Sequence, residues 1–231
     1  MNLLSNKKIL FIAPKFFGYE KEIIRKLTEL GAEVDYFDER PENSFFMKTF
    51  IRLNLKKLIN QKINHYYESI LRKINSKTYD FVFFIVPETI RINHLKKLKQ
   101  IQPSSKFILY MWDSIKNKKN VIDLIEYFDK IYTFDREDLN LFNNIEFMPL
   151  FYIDDYKKIG SNNNYKYDLC FIGTAHSDRY KLLSEIQKQS MRMGLNTFYF
   201  LYLSNKRIFW FKKLFDSKFR KAKIDEFSFS L

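Results

Sequence analysis

Three short stretches, Tyr79 to Val86, Lys106 to Trp112 and Lys130 to Phe134, are apolar almost without interruption. A strand with one wet face alternates apolar and polar residues, so a strand apolar at nearly every position is covered on both sides. Such burial belongs to a parallel sheet between layers of helices, and Leu95 to Ile101 and Val121 to Tyr127 lie where the connecting helical segments are needed. The chain opens the same way. Lys7 to Ile12 reads as a strand, Pro14 to Tyr19 as a loop, and the following helix runs through Leu30 to a closing Gly31. Glu33 to Phe37 then returns as a strand, which is the opening of a doubly wound fold. Ile145 to Met148 is the last strand of this domain, and Pro149 ends it. The fold class expected is α/β: a Rossmann-like parallel-sheet N-terminal domain over residues 1–150, a linker over 151–164 containing Gly160 to Asn164, and a partial C-terminal Rossmann-like domain over 165–231.

Between Met47 and Ile74 apolar residues recur at alternating spacings of three and four, which places one stripe along a long helix packed on the domain's own sheet. His65 sits beside that stripe and reads as a surface or flank residue.

The second domain is organised by Tyr165 to Tyr180. Leu169, Cys170, Phe171 and Ile172 read as a buried parallel strand, Gly173 and Thr174 as its turn, and Ser177 or Asp178 as the cap of the next helix. A helix start presents N–H groups without internal partners and the positive end of the dipole, so it attracts phosphate. Gly173 lets backbone approach a ligand, Thr174 and His176 supply donors, and Arg179 offers a planar fork for phosphate oxygens. The competing reading is a glycine in an ordinary turn, followed by a helix cap and a surface charge. Beyond a helix at Tyr180 to Met193 and a strand at Thr197 to Leu201, Lys206 to Lys223 reads as a basic amphipathic helix, suited to an anionic membrane surface or to its own sheet. Only two strands are evident here, fewer than such a sheet needs, so the domain reads as truncated and its last strand as an unpaired edge inviting self-association through Phe198 to Phe219.

At 231 residues, with 46% hydrophobic and 18% aromatic side chains, the chain has enough to bury for a globular fold. Its one cysteine, Cys170, permits neither a disulfide framework nor a cysteine metal site, which suits the cytoplasm. No metal or cofactor is expected. No signal peptide is evident, and no apolar stretch approaches the roughly 20 residues needed to span a bilayer. The net charge of +13 invites a nucleic-acid reading. Coding biased towards A and T raises lysine without any partner, and no zinc-finger spacing or RNA-recognition motif is present, so no nucleic-acid partner is expected.

In a parallel sheet ligands bind beyond the carboxyl ends of the strands, where Glu88, Asp113 and Asp135 fall. A carboxylate there is suited to take a proton from an acceptor hydroxyl. Helix capping competes, and is favoured for Asp135, which Arg136, Glu137 and Asp138 follow as a first helical turn. Asp113 lies between Trp112 and Ser114, neighbours suited to a sugar. Gly18 is a single glycine and no dinucleotide fingerprint.

Phe171 to Tyr180 (FIGTAHSDRY), Tyr110 to Ser114 (YMWDS) and Tyr132 to Asp138 (YTFDRED) together resemble bacterial lipopolysaccharide or capsular polysaccharide biosynthesis proteins. These are similar to CgeB-type glycosyltransferases with two Rossmann-like domains (GT-B type). The resemblance implies transfer of a sugar from a nucleotide-diphosphate donor to a glycan or lipid-linked acceptor. The donor would lie on Gly173, Thr174, His176 and Arg179, and Glu88 or Asp113 would act as base if configuration inverts. In such proteins further segments grip base and ribose, and their absence here leaves open a non-catalytic scaffold that binds a glycan or a partner.

Overall fold

A computed structural model describes residues 2–52, 55–158, 165–175, 179–203, 205–222 and 224–229. The proposed linker glycine and asparagines, and His176, Ser177 and Asp178, lie outside these residues. The chain divides into two compact units, Met1–Tyr156 and Lys157–Leu231.

The first unit holds six strands, β1 (Lys8–Ala13), β2 (Glu33–Asp38), β3 (Phe81–Ile85), β4 (Lys106–Met111), β5 (Lys130–Thr133) and β6 (Ile145–Phe147), in the order β2-β1-β3-β4-β5-β6. Every neighbouring pair is parallel, with Phe81 opposite Lys106 and Ile108 opposite Lys130. The continuous apolar runs are buried as their composition requires: Leu10, Phe11, Val82, Phe84, Phe107 and Leu109 are at most 1% exposed. Each such burial contributes about 1.5–3 kcal/mol. The crossovers are α1 (Tyr19–Glu29), α2 (Phe45–Arg52), α3 (Asn60–Ile74) and α4 (Ile92–Ile101), with short runs of 3-10 turns at Lys56–Ile59, Lys119–Tyr127 and Arg136–Asn140.

The single helix expected from Met47 to Ile74 is broken. Leu55 N donates to Phe50 O at 2.8 Å, one residue further back than the α-helical ladder reaches. Leu55 and Leu58 hold stripe positions yet are 43% and 71% exposed. Past the break α3 buries Ile63, Tyr67, Ile70, Leu71 and Ile74 in one core with β1, β3 and β4. His65 is exposed, as expected.

The second unit carries β7 (Leu169–Thr174), α5 (Arg179–Arg192), β8 (Thr197–Leu203), α6 (Lys206–Phe215), α7 (Ser217–Lys221) and β9 (Glu226–Phe229). Its sheet has three parallel strands in the order β7-β8-β9, one more than the sequence reading gave. β8 is therefore central, and the expectation that it forms an unpaired edge is wrong. β7 is parallel but not buried. As an edge strand it leaves Cys170 exposed, with Leu169 and Ile172 at 39% and 74%, so the expected buried cysteine is corrected.

The basic helix expected over Lys206 to Lys223 is interrupted at Asp216, whose backbone is extended at φ −110°. The Asp216 carboxylate accepts from Phe219 N at 3.0 Å, so the residue caps a new helix instead of continuing the old one. Phe209 packs on Phe219, Phe227 and Phe229, while Trp210, Phe211, Leu214 and Phe215 stay exposed. Among the described residues no helix is long and apolar enough to cross a membrane.

Candidate functional site

The strand order reverses at β1, which lies between β2 and β3. Such a reversal opens a crevice outside the carboxyl ends of the strands on either side, because the following loops diverge to opposite faces. The loop after β1 turns through Phe17 (φ 52°) and Gly18 (φ 80°), a left-handed pair that glycine relieves at the second position. Phe16 N donates to Glu20 Oε2 at 3.2 Å and holds the loop against α1.

Glu39, immediately after β2, ties down the facing loop. Its buried Oε1 accepts from the N–H groups of Glu88 at 2.8 Å and Ile90 at 3.1 Å, from Thr89 N, and from the hydroxyls of Thr89 and Tyr67 at 3.0 and 3.2 Å. Oε2 has no partner among the described atoms. Burial, and then the neighbouring Glu88 charge, push the Glu39 carboxyl up to about 7, against the Thr89 and Ile90 amides and Arg40. The tethered loop follows Val86, a β-branched residue at φ 42°. Such a backbone costs about 1–3 kcal/mol and persists only where surrounding bonds hold it.

Glu88 is 6% exposed and lies between two cations. Arg40 reaches it through Nε at 2.9 Å and through Nη2, and Lys118 Nζ donates to its other oxygen. Burial raises its pKa, and Arg40 and Lys118 together outweigh that, holding it below the usual carboxylate range. Lys118 also lies 3.5 Å from Asp113 Oδ2, so two of the three acids expected at this rim, Glu88 and Asp113, are brought together by one shared ammonium. Asp113 is the more open, with its side chain 39% exposed and Asn117 Nδ2 donating to it at 3.1 Å.

Asp135 caps the 3-10 run at Arg136–Asn140 by accepting from Glu137 N at 3.0 Å. Asp138, expected only as part of a helical turn, is instead a buried anchor. It accepts from Ile115 N at 3.1 Å, Thr133 Oγ1 at 2.8 Å and Ser114 Oγ at 3.3 Å, and so fixes the loop that carries Lys116 and Lys118.

Loops following β1 to β4 enclose a cleft of about 860 Å³. Six cationic side chains line it, Lys15, Arg40, Lys48, Lys116, Lys118 and Lys119, against Glu88 and Asp123. Beside it a smaller hollow of about 220 Å³ is faced by Phe16, Tyr19, Trp112 and Phe151. Phe16 belongs to both. Sequence reading missed Glu39 and the cation cluster; the signal available was lysine at three of the four positions 116–119.

In the second unit the structure brings Thr174 and Arg179 together: Arg179 Nη1 donates to Thr174 Oγ1 at 2.9 Å. A Cβ added to Gly173 would stand 2.8 Å from Phe171 Cζ and 3.7 Å from Arg179 Nη1, so the missing side chain leaves room for the ring and the guanidinium. His176 lies outside the described residues.

No protein-family model matches the sequence, and no curated protein matches it. Among solved structures the chain is similar to lipopolysaccharide outer core galactosyltransferase WaaB in its apo form. That likeness has a TM-score of 0.50 at 12% identity, covering 96% of this chain and 68% of the other. The likeness is one of fold. The chain is α/β with a six-strand parallel sheet, and its fold resembles that of this galactosyltransferase. A Burkholderia pseudomallei response regulator with a phosphorylated aspartate, calcium and citrate gives a TM-score of 0.35 at 8% identity, over 80% of this chain and 86% of its own.

Proposed function

We propose that this chain is a glycosyltransferase of surface polysaccharide assembly, transferring a sugar from a nucleotide-diphosphate donor to a glycan or lipid-linked acceptor. The observation that carries it is the fold likeness to a lipopolysaccharide galactosyltransferase. The ligand-sized cleft at the strand-order reversal supports it.

In this reading the donor diphosphate lies against Gly173, Thr174, His176 and Arg179, whose charge stabilises the leaving phosphate. The acceptor occupies the rim of the first unit. Asp113 is the better base there if configuration inverts, since Glu88 is already committed to Arg40 and Lys118 and gives up more to accept a proton. Glu88 then orients the two cations.

Nucleoside diphosphates should bind the intact chain, and Arg179→Ala should weaken them by about 1.5–3 kcal/mol, roughly ten- to hundredfold, through loss of a charge-assisted contact. Calorimetric titration of both proteins checks this. Equal affinities would remove Arg179 from the donor site; no binding to either would favour a scaffold that holds a glycan without turnover.

A further inference from the structure

We propose that the cleft beyond β1 to β4 is built for an acidic sugar, so that the acceptor carries a phosphate or carboxylate group. Three independent features meet there. The acids offset only part of the positive charge: Asp123 also lines the cleft, Glu88 pairs Arg40 and Lys118, and Asp113 lies against Lys118, while Lys15, Lys48, Lys116 and Lys119 have no ion pair among the described residues. Like charges gathered in a concave wall raise the local concentration of a counter-ion, and Arg40, fixed through its contact with Glu88, supplies planar donors.

Two buried carboxylates also fix loops of this rim. Glu39 anchors the Glu88 loop and Asp138 anchors Ile115, next to Lys116. Lysines on a solvated face need no such support. Here Asp138 pins the loop that carries Lys116, Lys118 and Lys119, and Glu39 the loop that carries their counter-charge Glu88, at the point of the sheet where the topology opens a crevice.

The third feature separates a sugar from a bare anion. Phe16 lines the basic cleft and the adjoining aromatic hollow, where Trp112 lies 6.1 Å from Phe16 and 6.2 Å from Phe151 between ring centroids. Aromatic faces are negative and pack against weakly positive C–H edges such as those of a pyranose ring. A molecule with an anionic group at one end and a ring at the other fits both walls.

Calling that molecule an acceptor rests on the glycosyltransferase reading; the chemistry of the cleft does not. Calorimetric titration of the full chain with glucose, glucose-6-phosphate, glucuronate and inorganic phosphate, at low and high salt, tests it. Glucose-6-phosphate or glucuronate should bind about tenfold or more tightly than glucose, with affinity falling as salt rises. Whichever of the two binds more tightly identifies the anionic group as phosphate or carboxylate.

The triple variant Lys15→Gln, Lys48→Gln, Lys119→Gln removes exposed cations that have no described ion pair, so its unfolding midpoint should match the parent's. It should lose about tenfold or more in affinity for the acidic sugar. Phe16→Ala should weaken the acidic sugar while leaving inorganic phosphate unchanged, a difference that misfolding cannot produce. Equal binding of glucose and both acidic sugars, or undiminished affinity in the triple variant, would overturn the inference. So would inorganic phosphate binding as tightly as the sugars, or an oligonucleotide displacing them at lower concentration than they bind. Salt-sensitive acidic-sugar binding with no sugar transfer would support the inference and count against the transferase; transfer to neutral glycans alone would do the reverse.

Discussion

Glu39 shows how one residue sets conditions for a whole rim. Its folded pKa of about 7 lies above the unfolded value of 4.5, so the folded state holds a proton that the unfolded chain releases first. Stability therefore falls as pH rises from 4.5 to 7, by on the order of 3 kcal/mol, and then levels off. Glu88 acts with the opposite sign: its lowered pKa contributes stability above about 4.5 that is lost as pH falls further. Urea denaturation across this range should show a slope from Glu39 that is absent in Glu39→Gln; an unchanged slope in the variant would show that another group titrates. The anchoring role of Glu39 was not legible in the sequence. A carboxylate following a strand is ordinary at a surface, and only the packing of Tyr67, Thr89 and the Glu88 loop around Glu39 makes it a buried anchor. The cation cluster was equally hidden, because its members come from loops after several strands and the lysines read as compositional bias.

At the scale of elements, the break before α3 makes a sharp test. Ile70 is 2% exposed and Leu58 is 71% exposed, although both hold the same apolar stripe. Ile70→Ala should cost about 2–5 kcal/mol, against about 0.5 kcal/mol or less for Leu58→Ala, as denaturant midpoints with unchanged slopes would show. Comparable losses would restore one continuous buried helix. Periodicity recorded where apolar residues recur and was silent on whether the ladder runs unbroken between them. β3 and β4 were legible because Val82, Phe84, Phe107 and Leu109 are buried in runs with few polar interruptions. The exposure of β7 was not, since it depends on which strand lies beside it. β9 escaped notice because Glu226 to Phe229 spans four residues, too few for a pattern to stand out. Asp216 ended a helix that charge and hydrophobicity alone would have continued.

For the whole molecule, the six-stranded first unit supplies a basic, aromatic-edged cleft, and the second supplies a β7 loop in which Arg179 is held by Thr174. The activity proposed for this chain is transfer of a sugar. The direct measurement is mass spectrometry of an acidic oligosaccharide incubated with the full chain and a panel of nucleotide-diphosphate hexoses. The account predicts a product one hexose heavier with at least one donor. For an inverting reaction the yield should drop by roughly a hundredfold or more in Asp113→Asn, while acidic-sugar binding is retained. No heavier product with any donor, from protein that still binds the acidic sugar, would contradict it.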